Sequence, residues 1–517
     1  MTKKNIDCCF LVASNSSKSY QKLSKDYAAI EPPTWALLLA ESVRSVGFNV
    51  NILDANAEGL KEDQISKRVL NLNPKLICFV VYGQNVNAGT TNMSGAVHIS
   101  NYLKENKISI PIAFIGSHVQ ALPVETLKKE KSIDFVFTNE GVYALRNVLK
   151  LKSIQPDSLE NIKGLAVRRN GKVFLNLPER VVPTEKMDID LPGYAWDLLP
   201  YKNRPLDLYR SPMWHAEYDF EKRSPYASIQ TSLGCQFKCS FCMINLVNRN
   251  DSEEIGVASN YSGMRFWSPE FIIKEFDKLF KMGVKTIRIV DEMFLLNQKY
   301  YLPLCKMLAE RNKDDSLMMW SYSRIDTVKR PEILETVRKA GIKWLCLGIE
   351  SGDKKVRLEV AKGKFEDVDV KEVIQKVHDA DINVMANYIF GLPGDTEETI
   401  SKTFELSKNL CTAGWNTYAA MALPGSQLYK DAKNKNIPLP SSYEGYSFHS
   451  FETLPLPTEK LSAAKILKLR DDAFIKYHTH IPFLELIKKK FGSKAMENII
   501  DMTKIKLKRK IFGDTIN

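Results

Sequence analysis

Two long stretches of the chain, residues 5–149 and 226–429, alternate short apolar runs with amphipathic helical segments. This alternation constrains the fold more than any other feature, because strand, helix and strand in succession pack as right-handed crossovers of a parallel sheet. The first stretch contains IDCCFLVAS, FNVNILDA, KLICFVVYG, IPIAFIGS and IDFVFTNEG, with one helix opened by Glu31-Pro32-Pro33. These runs predict an α/β domain with a doubly wound parallel sheet over residues 1–150. Ligands of such sheets bind beyond the carboxyl ends of the strands, and Asp54, Gly83, Gly116 and Glu140-Gly141 fall at those ends. The second stretch contains YASIQTS, KTIRIVDE, MMWSYSRID, KWLCLGIES, NVMANYIFG and NTYAAMALPG. Six βα units over residues 221–430 predict a partial (βα)6 barrel with its chemistry at the same strand ends. Residues 151–220 read as a hairpin turning at Asn170-Gly171, followed by a Pro-containing linker, and residues 431–517 as a mainly helical C-terminal domain. The 517 residues suffice for such an arrangement, at ~150 residues per domain.

Hydrophobic residues make up 44% and charged residues 26%, which excludes a mainly disordered chain. No apolar run approaches the ~20 residues of a transmembrane helix, and MTKKNIDCC has no secretory apolar core, so a cytoplasmic protein is expected. The excess of Lys and Arg (73 against 61 acidic residues) includes a C-terminal cluster, Lys488 to Lys490 and Lys504 to Lys510. Few aromatics accompany these lysines, which argues against a nucleic-acid surface. The alternation of charge and apolar side chains over residues 504–512 suits a segment docked on its own domain.

Nine cysteines are too sparse for a disulfide scaffold. Three of them, Cys235, Cys239 and Cys242, follow the strand YASIQTS within eight residues, on a loop before the next helix. Structural zinc sites take four ligands, commonly as two separated pairs, and no second pair lies nearby. Three thiolates instead leave an incomplete shell, as in a four-iron cluster with one iron open to an outside ligand. Cys8, Cys9, Cys78, Cys305, Cys346 and Cys411 lie on apolar segments and read as core residues.

This loop, with Phe241 just before its third cysteine, resembles the signature of the radical S-adenosylmethionine (radical SAM) superfamily. The resemblance implies a [4Fe-4S] cluster on Cys235, Cys239 and Cys242, with SAM chelating the fourth iron. Electron transfer, from a donor such as flavodoxin or ferredoxin, then cleaves SAM to methionine and a 5′-deoxyadenosyl radical. It also implies SAM contacts at successive strand ends. Of Asp291-Glu292, Glu292 is favoured as the acceptor for the SAM ammonium. Ser323 and Arg324 face its carboxylate or ribose, and Glu350 with Ser351 its ribose hydroxyls. Each of these residues also suits an ordinary strand-end cap. Gly391 to Asp395 and Leu423-Pro424-Gly425 permit close approach to adenine or form plain turns.

A doubly wound, Rossmann-like domain ahead of this barrel resembles the cobalamin-binding class of the superfamily, over roughly residues 5–430. The loop Asp54-Ala55-Asn56-Ala57-Glu58-Gly59 matches the Asp-x-His-x-x-Gly segment of cobalamin modules with Asn56 in place of histidine, so no side chain of this loop is expected on cobalt. Gly116, Ser117 and His118 resemble the segment that contacts the nucleotide tail, and Glu140-Gly141 the one after it. Tyr82-Gly83-Gln84-Asn85 is expected under the corrin. The class implies an enzyme that methylates an unactivated carbon of a small-molecule substrate. An oxidative cyclase or rearrangement enzyme is the nearest alternative; an RNA-modifying enzyme, or a non-enzymatic iron–sulfur module, is more distant. Residues around Tyr443, Tyr446 and His449 are expected at the barrel mouth, and residues 504–517 are expected to be dispensable for SAM cleavage.

Overall fold

The computed structural model describes residues 5–13, 16–83, 86–200, 208–211, 225–360 and 368–516; Gln84 and Asn85 lie outside them. Strands β1 (Cys8–Val12), β2 (Val50–Asp54), β3 (Leu76–Val80), β4 (Ile112–Ile115) and β5 (Phe135–Phe137) pair in parallel in the order β2-β1-β3-β4-β5. The strand order reverses between β1 and β3, and loops leaving their carboxyl ends diverge there to open a crevice. Strands β6 (Leu165–Arg169) and β7 (Lys172–Leu175) turn at Asn170 and Gly171, both with positive φ as a type I′ turn requires, and extend the same sheet antiparallel beyond β5.

The second sheet consists of β8 (Tyr226–Ile229), β11 (Thr286–Ile289), β12 (Met318–Arg324), β13 (Ile342–Glu350), β14 (Asn383–Phe390) and β15 (Gly414–Ala419), all parallel and in chain order. β8 and β15 do not pair, so the barrel is open on one side. Strands β9 (Ser232–Cys235) and β10 (Gly263–Phe266) form a separate antiparallel pair beside it. Cys235 therefore ends a strand, whereas Cys239 and Cys242 lie in the loop. Because strand side chains alternate faces, Trp320, Tyr322 and Arg324 form one column into the lumen. The cross-strand register sets Tyr322 beside Cys346 and Met385, and Arg324 beside Gly348 and Asn387.

The first sheet's domain is bolted to the barrel by buried polar contacts. Glu31 is ion-paired with Arg288 of β11 inside the lumen, and Glu140 with Arg265 of β10 at 2.8 Å. Thr34 and Ser228 share a hydrogen bond of 3.2 Å. The helices Ala463–His478, Ile481–Phe491 and Ser493–Thr503 pack against the barrel; Trp415 stacks on Tyr477 at 5.0 Å and Trp344 on Phe491 at 5.5 Å. The C-terminal segment docks on its own domain as its alternation predicts. Its lysines are exposed, but Arg509 is 1% exposed, donating to Asp471, to the Ser450 carbonyl and to Thr453. That buried guanidinium anchors the 447–453 segment beside the barrel mouth. No helix among the described residues is long and apolar enough to cross a membrane.

Candidate active site

The three cysteines are brought together by the way β8 turns into β9. Asp291, at the end of β11, accepts from the Thr231 amide (2.6 Å), the Thr231 hydroxyl (2.7 Å) and the Ser232 hydroxyl (2.6 Å), which pins that turn. Gly234 has φ +87°, and a Cβ there would lie 2.2 Å from Asn248 Nδ2, so only glycine carries β9 into the loop. Asn245 then clasps the loop, accepting from the Cys235 amide at 3.0 Å and donating to the Phe237 carbonyl at 3.1 Å. Asn87, from the first domain, donates to Cys242 Sγ at 3.7 Å and accepts from the Met243 amide at 3.1 Å.

All three cysteines line one cavity of about 300 Å3 at the carboxyl ends of the barrel strands. Burial pushes each thiol up to about 12, so in this pocket the sulfurs need a cation to become thiolates. Among the described residues no three His, Cys, Asp or Glu side chains are gathered tightly enough for a single ion. The cysteines share the wall of one cavity, and a cluster takes each thiolate on a different iron. The donor set and the cavity therefore fit a [4Fe-4S] cluster with SAM beside it.

Glu292, Ser323, Arg324 and Glu350 line the same cavity. Burial raises both Glu292 and Glu350 to about 7, with the nearby arginines acting against that rise. Glu350 sits at a register shift of β13 with φ +64°, an uncommon conformation for a non-glycine residue, and Gly348 leaves room for it: a Cβ there would lie 2.4 Å from Glu350 Oε1. The Arg324 guanidinium lies 3.6 Å over the Phe237 ring and is ion-paired with Asp326. Ser351 does not line the cavity; it is fully buried and shares a hydrogen bond with Thr403 at 3.2 Å. The Gly391 segment is a turn closed by the Asp395 carboxylate, and Gly425 packs against Leu246 and Ala121.

A second cavity opens at the β1/β3 switch point of the first sheet, lined by Val12, Val80, Tyr82, Gly83 and Asn56, with Trp35 stacked on Tyr82 at 5.0 Å as a flat wall. An open strand-end crevice walled by stacked rings fits the face of a planar macrocycle, and Asn56 offers no imidazole. Asp54 lies beneath, capping the 55–58 turn and accepting from Tyr209 at 3.0 Å; burial raises it to about 7. Gly59 apart, the other predicted residues have close neighbours within the protein. Gly59 is an exposed left-handed turn, and a Cβ on Gly116 would meet the Val81 carbonyl at 2.1 Å. Ser117 donates to the Val86 carbonyl at 2.7 Å. His118 is held by Thr90 at 3.1 Å and the Tyr443 ring, and burial lowers it to about 3. Glu140 accepts from the Val182 amide as well as from Arg265, and Gly141 opens the helix Val142–Lys150 against Ile115. Tyr446 and His449 line the cysteine cavity, whereas Tyr443 packs on His118.

The two cavities share Tyr20, Ala88, Thr91, Ile244 and Glu292 as a common wall. Of these, sequence reasoning singled out Glu292 only; Tyr20, Ala88, Thr91 and Ile244 carry no local signal.

Family comparisons agree with this architecture. Residues 229–407 match the model of the Radical SAM superfamily and residues 23–149 that of the B12 binding domain, together well over half of the chain. The chain belongs to the radical SAM superfamily, in its cobalamin-binding class. This radical SAM protein is an enzyme whose cofactors are a [4Fe-4S] cluster, SAM and cobalamin. It is 25% identical to an uncharacterized methyltransferase of Pyrococcus horikoshii, covering 86% of this chain and 88% of that one. It is 22% identical to an anaerobic magnesium-protoporphyrin IX monomethyl ester cyclase of Cereibacter sphaeroides, covering 87% of this chain and 67% of that one. Its fold is similar to that of the methyltransferase TsrM from Kitasatospora setae, solved with cobalamin and a [4Fe-4S] cluster bound, with TM-score 0.66, 14% identity, and coverage of 96% and 100%.

Proposed function

We propose that this enzyme methylates an unactivated carbon of a small-molecule substrate. The observation that carries the reading is the shared wall: the cysteine cavity and the switch-point cavity meet across Tyr20, Ala88, Ile244 and Glu292, which line both. When bound, the cluster and SAM supply a carbon-centred radical and cobalamin supplies a methyl carrier.

The residues of this chain do the rest. Cys235, Cys239 and Cys242 hold the cluster, and Asn87 and Asn245 fix the loop that carries them. Glu292 and Glu350 accept from the ammonium and ribose hydroxyls of SAM, and Arg324, braced on Phe237, offers N–H groups to its carboxylate. Trp35 and Tyr82 would seat the corrin, and Asn56 beside them would offer no imidazole to it. Phe448 and Tyr446 roof the site against water. We assign residues 1–150 to the cobalamin unit, with the hairpin of 151–220 as its edge, 221–430 to the barrel and 431–517 to the C-terminal domain packed on it. A cytoplasmic protein fed electrons by a flavodoxin or ferredoxin accords with nine free cysteines.

The cyclase among the relatives supports a second reading, in which cobalamin serves electron transfer and no methyl group moves. Anaerobic reconstitution with iron, sulfide, cobalamin and methyl-labelled SAM under reducing conditions separates the two. Methylation predicts both S-adenosylhomocysteine and 5′-deoxyadenosine, whereas a cyclase yields only the latter. Alanine at Cys235, Cys239 or Cys242 is expected to remove most of the iron and all SAM cleavage, while Cys411→Ala keeps both. SAM cleavage surviving in the triple variant would falsify the assignment.

A further inference from the structure

Asn87 lies in the first domain, between β3 and the helix Gly89–Glu105, and 155 residues from the cysteine it touches. Its side-chain amide bridges two consecutive residues of the cysteine loop: Nδ2 donates to Cys242 Sγ at 3.7 Å, and Oδ1 accepts from the Met243 amide at 3.1 Å. The second contact settles the orientation of the first. A backbone N–H only donates, so the atom facing Met243 is the oxygen and the atom left facing Cys242 carries the protons.

The surrounding segment holds that amide in place. Ser117 donates to the Val86 carbonyl at 2.7 Å, Thr91 to the Ala88 carbonyl at 2.8 Å and Asn92 to the Tyr82 carbonyl at 3.0 Å. A Cβ on Gly83 would lie 2.3 Å from Ala88 Cβ, so the two ends of the segment approach closely. A donor fixed in this way needs no reorganisation when charge develops beside it. The other sulfurs draw donors from the barrel itself: Cys235 accepts from the Phe237 amide at 3.5 Å, and Cys239 from Arg324. Asn87 instead reaches Cys242 from the segment whose Tyr82, Gly83, Val86 and Ala88 line the switch-point cavity.

We propose that Asn87 is a positioning residue that raises the reduction potential of the cluster. When one electron enters the cluster the ligating sulfurs gain negative charge, and an N–H aimed at one of them stabilises the reduced state more than the oxidised one. The electron comes from the low-potential donor that SAM cleavage already requires, and no bond of the protein forms or breaks. Holding the cysteine loop needs only Oδ1 on Met243; raising the potential needs Nδ2 on Cys242. The inference concerns the cluster and stands whether the enzyme methylates or cyclises.

Two substitutions separate the contacts. Asn87→Asp keeps an acceptor for Met243 and puts an oxygen where the N–H was, whereas Asn87→Leu, of similar size, removes both. The full chains are reconstituted anaerobically with iron, sulfide and cobalamin and poised at fixed potentials at pH 8, about 4 units above the ordinary carboxyl value. EPR at liquid-helium temperature then reads the reduced cluster. The ratio of reduced to oxidised cluster counts only chains that hold one, so partial iron loss does not disturb it. Asn87→Leu is expected to lower that ratio about three- to tenfold at a given potential, a downward shift of about 30–60 mV for one electron. Asn87→Asp is expected to lower it further, with iron content as in wild type. A variant that holds a cluster and keeps the ratio within twofold of wild type, or raises it, overturns the proposal. Absence of the cluster from both variants also overturns it, since Asn87 then acts as a clamp on the loop. A wild-type chain that takes up no cluster removes the cofactor assignment itself.

Discussion

The ion pair between Glu31 and Arg288 gives the sharpest quantitative test of how the first domain is seated in the barrel. The side chains are 9% and 1% exposed, and Arg288 lies over the Trp320 and Tyr322 rings at 4.7 and 5.0 Å. Its Nε and Nη2 have no hydrogen-bond partner among the described residues, so Glu31 is its principal compensation. Glu31→Gln strands a guanidinium that cannot lose its proton, and the expected loss of stability is about 3–5 kcal/mol at any pH from 5.5 to 7. Arg288→Met strands a carboxylate that can escape by taking up a proton. Burial already raises Glu31 in the intact pair, and without Arg288 it rises further. A raised acid contributes stability below its unfolded value and loses it as the pH climbs. The stranded-charge part of the loss is therefore capped at about 3.7 kcal/mol at pH 7 and about 1.6 kcal/mol at pH 5.5, at about 1.36 kcal/mol per pH unit above about 4.3. Urea unfolding followed by tryptophan fluorescence, with Trp320 beside the pair as reporter, reads both variants at both pH values. The cost of Arg288→Met is expected to shrink on going to pH 5.5, by at most about 2 kcal/mol, while that of Glu31→Gln does not shrink. Equal pH dependence in the two variants refutes the reasoning.

Three further outcomes follow from the same geometry. Gly348→Ala drives a methyl group to 2.4 Å from Glu350 Oε1, and calorimetry on iron-loaded protein is expected to show SAM bound at least tenfold more weakly at full iron content. Asp54 is raised from 3.8 to about 7, so its contribution to stability falls as the pH climbs between those values. Asp54→Asn is accordingly expected to melt no lower than wild type at pH 6 and higher at pH 8; a lower melting temperature at pH 8 contradicts the burial argument. Arg509→Met is expected to cost about 3–5 kcal/mol, and Lys506→Gln on the exposed side of the same segment less than about 0.5, in urea unfolding.

The sequence by itself determined what depends on near neighbours. A period of two alternating with a period of 3.6 sets strands and helices, and the parallel sheets with ligand ends follow from their order. The spacing of Cys235, Cys239 and Cys242 sets an incomplete thiolate shell because ligands seven residues apart can close on one centre wherever the loop lies. The tertiary structure decided which member of each candidate pair faces the site. Asp291 and Glu292 are adjacent, so one side chain pins Thr231 and Ser232 while the other lines the cavity; Glu350 and Ser351 divide in the same way. His118 and Glu140 match a motif by position, yet Thr90, Tyr443 and Arg265, distant along the chain, supply their partners. The contact of Asn87 with Cys242, and a cavity walled by residues from Tyr20 to Met502, arise only when the domains pack. A side chain's direction and its partner are properties of packing across hundreds of residues, and local periodicity carries no information about them.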